Sequence, residues 1–229
     1  MRSWADGAAW WEIAVASLAL NLATVVTSVV LWRWLVARRH MADVTRSVSR
    51  RDLALTASTT LMNAAVILPA WWLWREDVIE LRDPTPLGVV IGVLGLLVGL
   101  DLVMYVLHRI FHQGVLYRWF HVWHHTGDER MSPVTLFVMH PFEAAGFGLA
   151  TLGLMWVAPV SIPAVMAFFT VNLFVGTIAH VPRRDDPTAD EPTTGWIGGS
   201  AMHAGHHARP DTNFGFFTQV WDRLLGTRV

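Results

Sequence analysis

The histidines of this chain are concentrated in a few short stretches. The pattern HxxHH occurs twice, at His121–His125 and at His203–His207. Neutral imidazole is the commonest metal-binding side chain. Positions i, i+3 and i+4 of a helix share one face, so each copy is predicted to direct three ring nitrogens to one place. His108 and His112, four residues apart, lie just upstream of the first copy. These eight histidines, of 11 in the chain, are too many for one metal ion with an open position and suit two.

Imidazole ligands limit which metal ions, and therefore which reactions, such a site can support. Imidazole-rich sites suit iron, zinc, copper or nickel. A pair of reduced iron ions at a lipid-facing surface, supplied with electrons from the cytosol, suits the activation of O₂ and the oxidation of an unactivated C–H bond. The expected outcome is hydroxylation or desaturation of a lipid, with the protein orienting the ligands and excluding water.

Composition places this site in a membrane protein. The chain of 229 residues is 53% hydrophobic and only 15% charged, with a mean hydropathy of +0.40. Soluble domains carry roughly 25% charged residues. The net charge of −1 gives no support for nucleic-acid binding, and the absence of cysteine excludes thiolate metal sites and iron–sulfur clusters. All 17 basic residues are arginine, which favours a GC-rich bacterial genome and hence a bacterial inner membrane.

The apolar pattern predicts one all-α integral membrane domain over 1–229, with four to five transmembrane helices and a cytoplasmic histidine-rich cap that holds two metals. About 20 apolar residues cross a bilayer. Pro159 and Pro163 break the last apolar region into two spans, and a polar loop follows at 182–200. The predicted spans are 13–37, 53–74, 87–112, 136–158 and 162–180.

Charge sets the predicted orientation. The loop at 38–52 is rich in arginine, whereas the loop at 75–85 is net acidic. The positive-inside rule places the first loop in the cytoplasm and the second outside. Following the spans, the segments 108–143 and 180–229 then lie on the cytoplasmic face, with every histidine. We interpret His40, in the arginine loop, as a solvated side chain.

The third span has two opposite faces at 100° per residue. One is a ridge of glycines, which predicts close approach of another helix. A charged residue within a span is costly and indicates function. Asp101 is therefore expected either to orient the imidazole N–H of another ligand or to make a structural hydrogen bond to a neighbouring helix. The ridge consists of Gly88, Gly92, Gly95 and Gly99, and the other face of Asp101, Tyr105, His108 and His112.

Several motifs over 101–229 together carry a family resemblance. In order and spacing they are similar to the fatty acid hydroxylase/sterol desaturase superfamily of membrane di-iron oxygenases. The motifs are Asp101 and Tyr105 before His108-Arg109-Ile-Phe-His112, Phe120 before the first HxxHH, His140-Pro141-Phe142-Glu143, and the second HxxHH followed by Asn213-Phe214-Gly215 and Trp221-Asp222-Arg223-Leu224-Leu225-Gly226-Thr227.

The resemblance implies a ligand set and its partners. It implies two iron ions, which zinc can replace on purification, with O₂ as co-substrate and a sterol-like or fatty acyl lipid as substrate. Electrons would come from a separate protein, a ferredoxin or a cytochrome b5-like protein with its reductase. His140 is expected either to bind a metal or to orient a ligand. The implied ligands are His108, His112, His121, His124, His125, His180, His203, His206 and His207.

The chain departs from the family pattern at three positions. Val181 stands where Asn is common after the last-span histidine, Val138 replaces an arginine, and Gly176 replaces a histidine that some members have. The substrate branch therefore stays open. A carotenoid hydroxylase shares the paired HxxHH, but we find no HDxxVH element of that group here.

Other classes of protein fit less well. A membrane metal-ion transporter would need polar residues along a path near the midplane, where Asp101 is almost alone. A haem-binding membrane protein would hold axial histidines within its spans. A family member without activity would have little use for the complete histidine set.

Overall fold

The computed structural model describes residues 7–125, 131–182 and 195–229. Five long helices dominate these residues, which contain no β-strand beyond isolated bridges. The predicted all-α class is confirmed over the described chain. The long helices are α1 (Trp10–Arg38), α2 (Arg50–Arg75), α3 (Pro86–Phe111), α4 (Pro141–Val157) and α5 (Ile162–Ala179).

The helix boundaries follow from caps and prolines. Ser49 caps α2, accepting a hydrogen bond from Asp52 N, and Thr85 caps α3 in the same way. α4 begins at Pro141, five residues later than the predicted start at 136, because proline suits the first turn of a helix. The stretch from Thr135 to Phe137 instead forms a short 3₁₀ helix.

Four of the long helices are long and apolar enough to cross a membrane, which characterises an integral membrane protein. α4 has 17 residues and is shorter than these spans. Only 17% of the apolar window of α1 is buried. Its outward face carries exposed apolar side chains such as Val15 and Val26, which suit contact with lipid.

The two ends of the helix bundle differ in composition. At one end the loop between α2 and α3 meets the break between α4 and α5, where Arg82 N donates to Val160 O at 3.0 Å. At the other end lie the C-termini of α3 and α5, the start of α4 and both HxxHH stretches. The second stretch forms α6 (Ser200–Ala208).

Glycines of α3 allow neighbouring helices to approach closely, as the ridge predicted. A Cβ atom on Gly92 would lie 2.9 Å from Ala164 Cβ of α5. A Cβ atom on Gly99 would lie 3.2 Å from Leu154 of α4. A Cβ atom on Gly95 would meet nothing within 4 Å and one on Gly88 would meet only Thr85, so two of the four ridge glycines bear out the prediction. The opposite face of α3 carries its histidines at the histidine-rich end. The predicted loop at 182–200 lies mostly outside the described residues, as do residues 126–130.

Candidate metal centre

Nine of the 11 described histidines form two compact groups at one end of the bundle. Within each group the ring nitrogens that could bind a metal lie within 4.8 Å of one another. We call them the five-histidine group and the four-histidine group. The first comprises His108, His112, His121, His125 and His206, and the second His124, His180, His203 and His207.

Each HxxHH stretch is divided between the two groups. In the first copy, His121 and His125 join the five-histidine group while His124 joins the other. The prediction that all three rings of one copy meet at one place is wrong. Positions i and i+4 differ by about 40° around a helix, whereas i+3 lies about 60° to the other side of i. In the second copy, His203 and His207 form the i, i+4 pair and His206 diverges.

Local backbone geometry presents these rings. His121 ends a π-helical turn, Tyr117–His121, and the chain continues as a short α-helix, Val122–His125. π-Helical turns are rare and are frequent at functional sites. His108 lies in the last turn of α3, and His180 is the residue that follows α5. Ligands therefore come from four separate parts of the fold.

Three of the five rings in the five-histidine group have their outward nitrogen tied to an acceptor. His108 Nδ1 donates to Phe214 O at 2.9 Å, and His206 Nδ1 donates to Thr212 O at 2.7 Å. His121 Nδ1 donates to Glu143 Oε1 at 2.8 Å. A backbone carbonyl oxygen can only accept, so His108 and His206 carry their proton on Nδ1 and leave a lone pair on Nε2, and an ionised Glu143 gives His121 the same tautomer.

The lone pairs then face one another. His108 Nε2 and His121 Nε2 are 3.1 Å apart, and burial lowers the pKa of His121 to about 4. Neither neutral ring can donate to the other through Nε2, so this contact is repulsive without a cation between the rings. His112 Nε2 and His125 Nδ1 are buried without a hydrogen-bond partner among the described residues. These are the features expected of a metal site, since imidazole binds metals in its neutral form.

The four-histidine group is arranged in the same way. His124 Nδ1 donates to Val138 O at 3.1 Å, and His180 Nδ1 donates to Gly176 O at 2.7 Å. His203 Nε2 lies 3.0 Å from His180 Nε2. Burial lowers the pKa of His124 to about 4 and that of His203 well below its ordinary value. Two of the four rings are therefore held in one orientation, and buried neutral rings of this kind could bind a metal ion.

His140 and Asp101 lie outside both groups. The His140 ring caps α4, accepting from Phe142 N at 3.3 Å, and touches no ring of either group within the described residues. Asp101 makes no hydrogen bond to an imidazole. Its carboxylate accepts from the backbone N–H of Phe217 and Thr218 and from Trp221 Nε1. Of the two expected roles, the structural one describes its contacts.

Asp222, to which the sequence assigned no role, holds the loop that orients two histidines. It is fully buried and accepts from Phe214 N and Gly215 N, each at 2.8 Å. A Cβ atom on Gly215 would clash with Thr218 O, so glycine is required there. Asp222 and Asp101 together hold the loop 212–218 in place. The carbonyls of Thr212 and Phe214 in this loop accept from the rings of His206 and His108. The acidic residue in the Trp221–Thr227 motif is the feature of the sequence that could have indicated this role.

The departures at Gly176 and Val138 also have a structural reason. Gly176 supplies the carbonyl that holds the His180 ring, and a Cβ atom there would lie 3.0 Å from Leu136. Val138 supplies the carbonyl that holds the His124 ring. Both positions contact the four-histidine group through their backbone carbonyls, and the nearness of Leu136 favours glycine at 176.

The chain is similar to known sterol-modifying proteins. The model of the fatty acid hydroxylase family matches residues 93–227. Cholesterol 25-hydroxylase-like protein 2 of Danio rerio is 32% identical over 202 residues, covering 85% of this chain and 72% of that protein. Cholesterol 25-hydroxylase of Rattus norvegicus is 27% identical, covering 86% and 68%.

A sterol desaturase shares the C-terminal part. Delta(7)-sterol 5(6)-desaturase of Leptosphaeria maculans is 32% identical over 133 residues, covering 56% of this chain and 34% of that protein. No solved structure matches the chain. The family match and the relative from Danio rerio agree with the motifs, and the chain therefore belongs to the fatty acid hydroxylase/sterol desaturase superfamily.

Proposed function

We propose that this protein is an O₂-dependent oxidoreductase that hydroxylates or desaturates a membrane lipid, with one iron ion in each histidine group. The observation that carries the proposal is the contact between His108 Nε2 and His121 Nε2 at 3.1 Å. Both rings have their proton on the other nitrogen, so a cation between them removes the repulsion. The same convergence of neutral rings recurs in the four-histidine group.

The donor set fits iron. Imidazole binds iron well, and it binds zinc equally readily, so zinc is the expected contaminant on purification. Bound iron would supply the activation of O₂ and the oxidation of a lipid C–H bond. Hydroxylation consumes O₂, two electrons and two protons per lipid and yields the alcohol and water.

The residues of the chain have distinct tasks in this reaction. Five of the nine rings have an acceptor on Nδ1, which holds the ring in one orientation, raises its basicity and leaves Nε2 to bind a metal. Burial raises the pKa of Glu143 to about 7, so this residue, beside His121, would supply a negative charge to the five-histidine group once a cation is bound there. Burial of the rings keeps water away from the site and keeps the imidazoles neutral.

The substrate we propose is a sterol-like or fatty acyl lipid. The relatives that cover most of this chain are named for hydroxylation of cholesterol, and the desaturase is named for a sterol. A carotenoid hydroxylase gains no support from these relatives, and neither does a metal-ion transporter. The apolar outer faces of α1 and α3 would keep the histidine groups beside the lipid phase.

The electrons would come from a separate protein, a ferredoxin or a cytochrome b5-like protein with its reductase. We propose a single membrane domain over 1–229, with the metal-binding segments 108–143 and 180–229 on the cytoplasmic face. This orientation follows from the arginine loop between α1 and α2. The bacterial inner membrane is the proposed location.

The test combines metal content with lipid oxidation. The full chain is expressed in cells with added sterols, and lipids are compared with and without the protein for gain of one oxygen or loss of two hydrogens. The purified protein is expected to hold two metal ions per chain. His124→Ala and His206→Ala are each expected to lose one of the two metal ions together with lipid oxidation, because each removes a ligand from one group. Full O₂-dependent activity in either variant would exclude the proposed function.

A control variant separates loss of a ligand from loss of the fold. His40 is an exposed histidine outside both groups, with a positive φ of 51°. His40→Asn keeps a residue that tolerates this backbone conformation. It is expected to retain both metals and full activity, whereas a parallel loss there would point to a general effect of histidine replacement.

A further inference from the structure

The backbone carbonyl of His180 is held by a side chain from the other end of the sequence. Trp32 of α1 donates its indole Nε1–H to His180 O at 2.7 Å. Trp32 is 5% exposed and His180 is 3% exposed, so the bond is sheltered from water. A hydrogen bond in such surroundings is stronger than one in water and costly to leave unmade.

A second contact lies one turn away on both helices. The hydroxyls of Ser28 and Thr177 are 2.8 Å apart. Thr177 donates to Leu173 O at 2.7 Å, so Ser28 is the donor between the two hydroxyls. Both side chains are 1% exposed. Two bonds, one turn apart, fix both the rotation of the end of α5 and its position along α1.

His180 is a ligand that needs this support. It follows the last residue of α5, and its φ and ψ of −96° and 14° have left the helical region. The last turn of a helix has carbonyls without helical partners and frays readily. The ring is tied to Gly176 O of that same turn, so movement of the turn would move Nε2.

Apolar packing continues the contact past His180. Trp32 and Val36 of α1 form a buried cluster with Met131 and Val181. Arg46 N, in the loop after α1, donates to Met131 O at 3.2 Å. α1 therefore contacts the residue that follows His180 as well as His180 itself.

The second helix, α2, contacts a different segment beside the four-histidine group. Thr59 of α2 is 1% exposed and donates to Met139 O at 3.1 Å. Met139 follows Val138, whose carbonyl orients the His124 ring. The hairpin formed by α1 and α2 thus contacts His180 itself and the residue beside the carbonyl that orients His124. By contrast, the residues that orient His108, His121 and His206 all lie within residues 143–214.

We propose that α1 positions the four-histidine group, with Trp32 as a positioning residue for His180. This inference rests on the proposed function, since it assumes a metal in each group. It goes beyond it by assigning a role to a helix outside residues 93–227, the part that matches the family model. Loss of the indole N–H lowers the metal affinity of the four-histidine group and leaves that of the five-histidine group unchanged.

The experiment compares Trp32→Phe with the wild type and a matched control. Phenylalanine keeps an aromatic ring in the buried cluster and removes the N–H donor. Trp34→Phe makes the same substitution two residues along α1, at a side chain that is 52% exposed. The full chain in lipid nanodiscs is stripped of metal and titrated with Co²⁺, whose visible absorption bands report the geometry of each occupied site.

The wild type and Trp34→Phe are expected to bind two equivalents of Co²⁺. Trp32→Phe is expected to bind one equivalent as the wild type does and the other about tenfold more weakly, in line with the effect of residues that orient ligands. Two equivalents with wild-type affinities in Trp32→Phe, or an equal loss at both sites, would overturn the inference. A wild type that does not bind two equivalents would instead contradict the proposed function.

Milder variants keep the inference testable if Trp32→Phe fails to fold. Ser28→Ala removes the donor to Thr177, and Thr59→Val removes the donor to Met139 with little change of shape. Each variant is expected to bind the same equivalent of Co²⁺ more weakly and the other equivalent with unchanged affinity. Wild-type affinity at both sites in both variants would contradict a positioning role for the hairpin.

Discussion

The two histidine groups are similar in their rings and different in what surrounds them. The five-histidine group is oriented by Glu143 and by carbonyls of the C-terminal loop at Thr212 and Phe214. The four-histidine group is oriented by carbonyls at Gly176 and Val138, next to residues that α1 and α2 hold.

This difference shows that one pair of sequence motifs can serve two sites with separate supports. His124 and His125 are neighbours in the chain but belong to different groups, as do His206 and His207. The C-terminal loop supplies carbonyls that orient rings of the five-histidine group, and the N-terminal hairpin contacts residues beside those that orient rings of the four-histidine group. Variants can therefore be chosen that affect one group and spare the other.

Replacement of ligands is expected to give the largest effects. His203→Ala and His206→Ala remove residues three apart in one motif, yet they remove ligands from different groups. Each variant is expected to keep one metal ion per chain, and the retained ions should differ in their Co²⁺ absorption bands. Identical spectra for the two variants would contradict the division of the motif.

The next largest effect is expected for Asp222→Asn, which should lower the metal affinity of the five-histidine group. The amide presents an N–H₂ group to backbone N–H donors at Phe214 or Gly215, which costs about 1–3 kcal/mol in a buried site. The loop that holds His108 and His206 then shifts, and metal affinity there is expected to fall by about 10–100-fold.

Co²⁺ titration of Asp222→Asn measures this loss. Asp211→Asn, at an exposed acid of the same loop, is the control and is expected to behave as the wild type. An equal loss of affinity in both histidine groups would show that the loop does not act on one group alone.

A smaller effect is expected for Glu143→Gln. The amide oxygen still accepts from His121 Nδ1, but the negative charge beside the five-histidine group is gone. Affinity at that group is expected to fall about tenfold, with the other unchanged. Glu80→Gln, at an exposed acid near the opposite end of the bundle, serves as control. A loss of metal affinity at the four-histidine group instead would contradict the assignment of Glu143 to the five-histidine group.

His140→Ala is expected to have the smallest effect on metal binding. His140 caps α4 and lies in neither group. Loss of the cap is expected to lower the free energy of unfolding by about 1 kcal/mol, measured by thermal denaturation. Both equivalents of Co²⁺ should bind as in the wild type, and loss of either one would make His140 a ligand.

Much of the fold was predictable because it depends on local features of the sequence. Hydropathy located the long helices to within a few residues, apart from the start of α4, where the cap at His140-Pro141 decided the boundary. The glycine ridge predicted which face of α3 packs closely. The nine histidines of the two groups were all named from the sequence.

Which rings of the two copies share a group was not predictable, because that depends on tertiary structure. Spacing places His121, His124 and His125 on one face but cannot tell which neighbouring segment each ring meets. The partner of Asp101 lies 116 residues away at Phe217, and that of Trp32 lies 148 residues away at His180. Neither pairing leaves a local pattern in the sequence.

Anomalous X-ray scattering at the iron edge, from crystals of the full chain loaded with Fe²⁺, tests the central claim most directly. We expect two iron peaks. One should be surrounded by His108, His112, His121, His125 and His206, and the other by His124, His180, His203 and His207. A single peak, or one iron bound by all three histidines of either HxxHH stretch, would contradict the account.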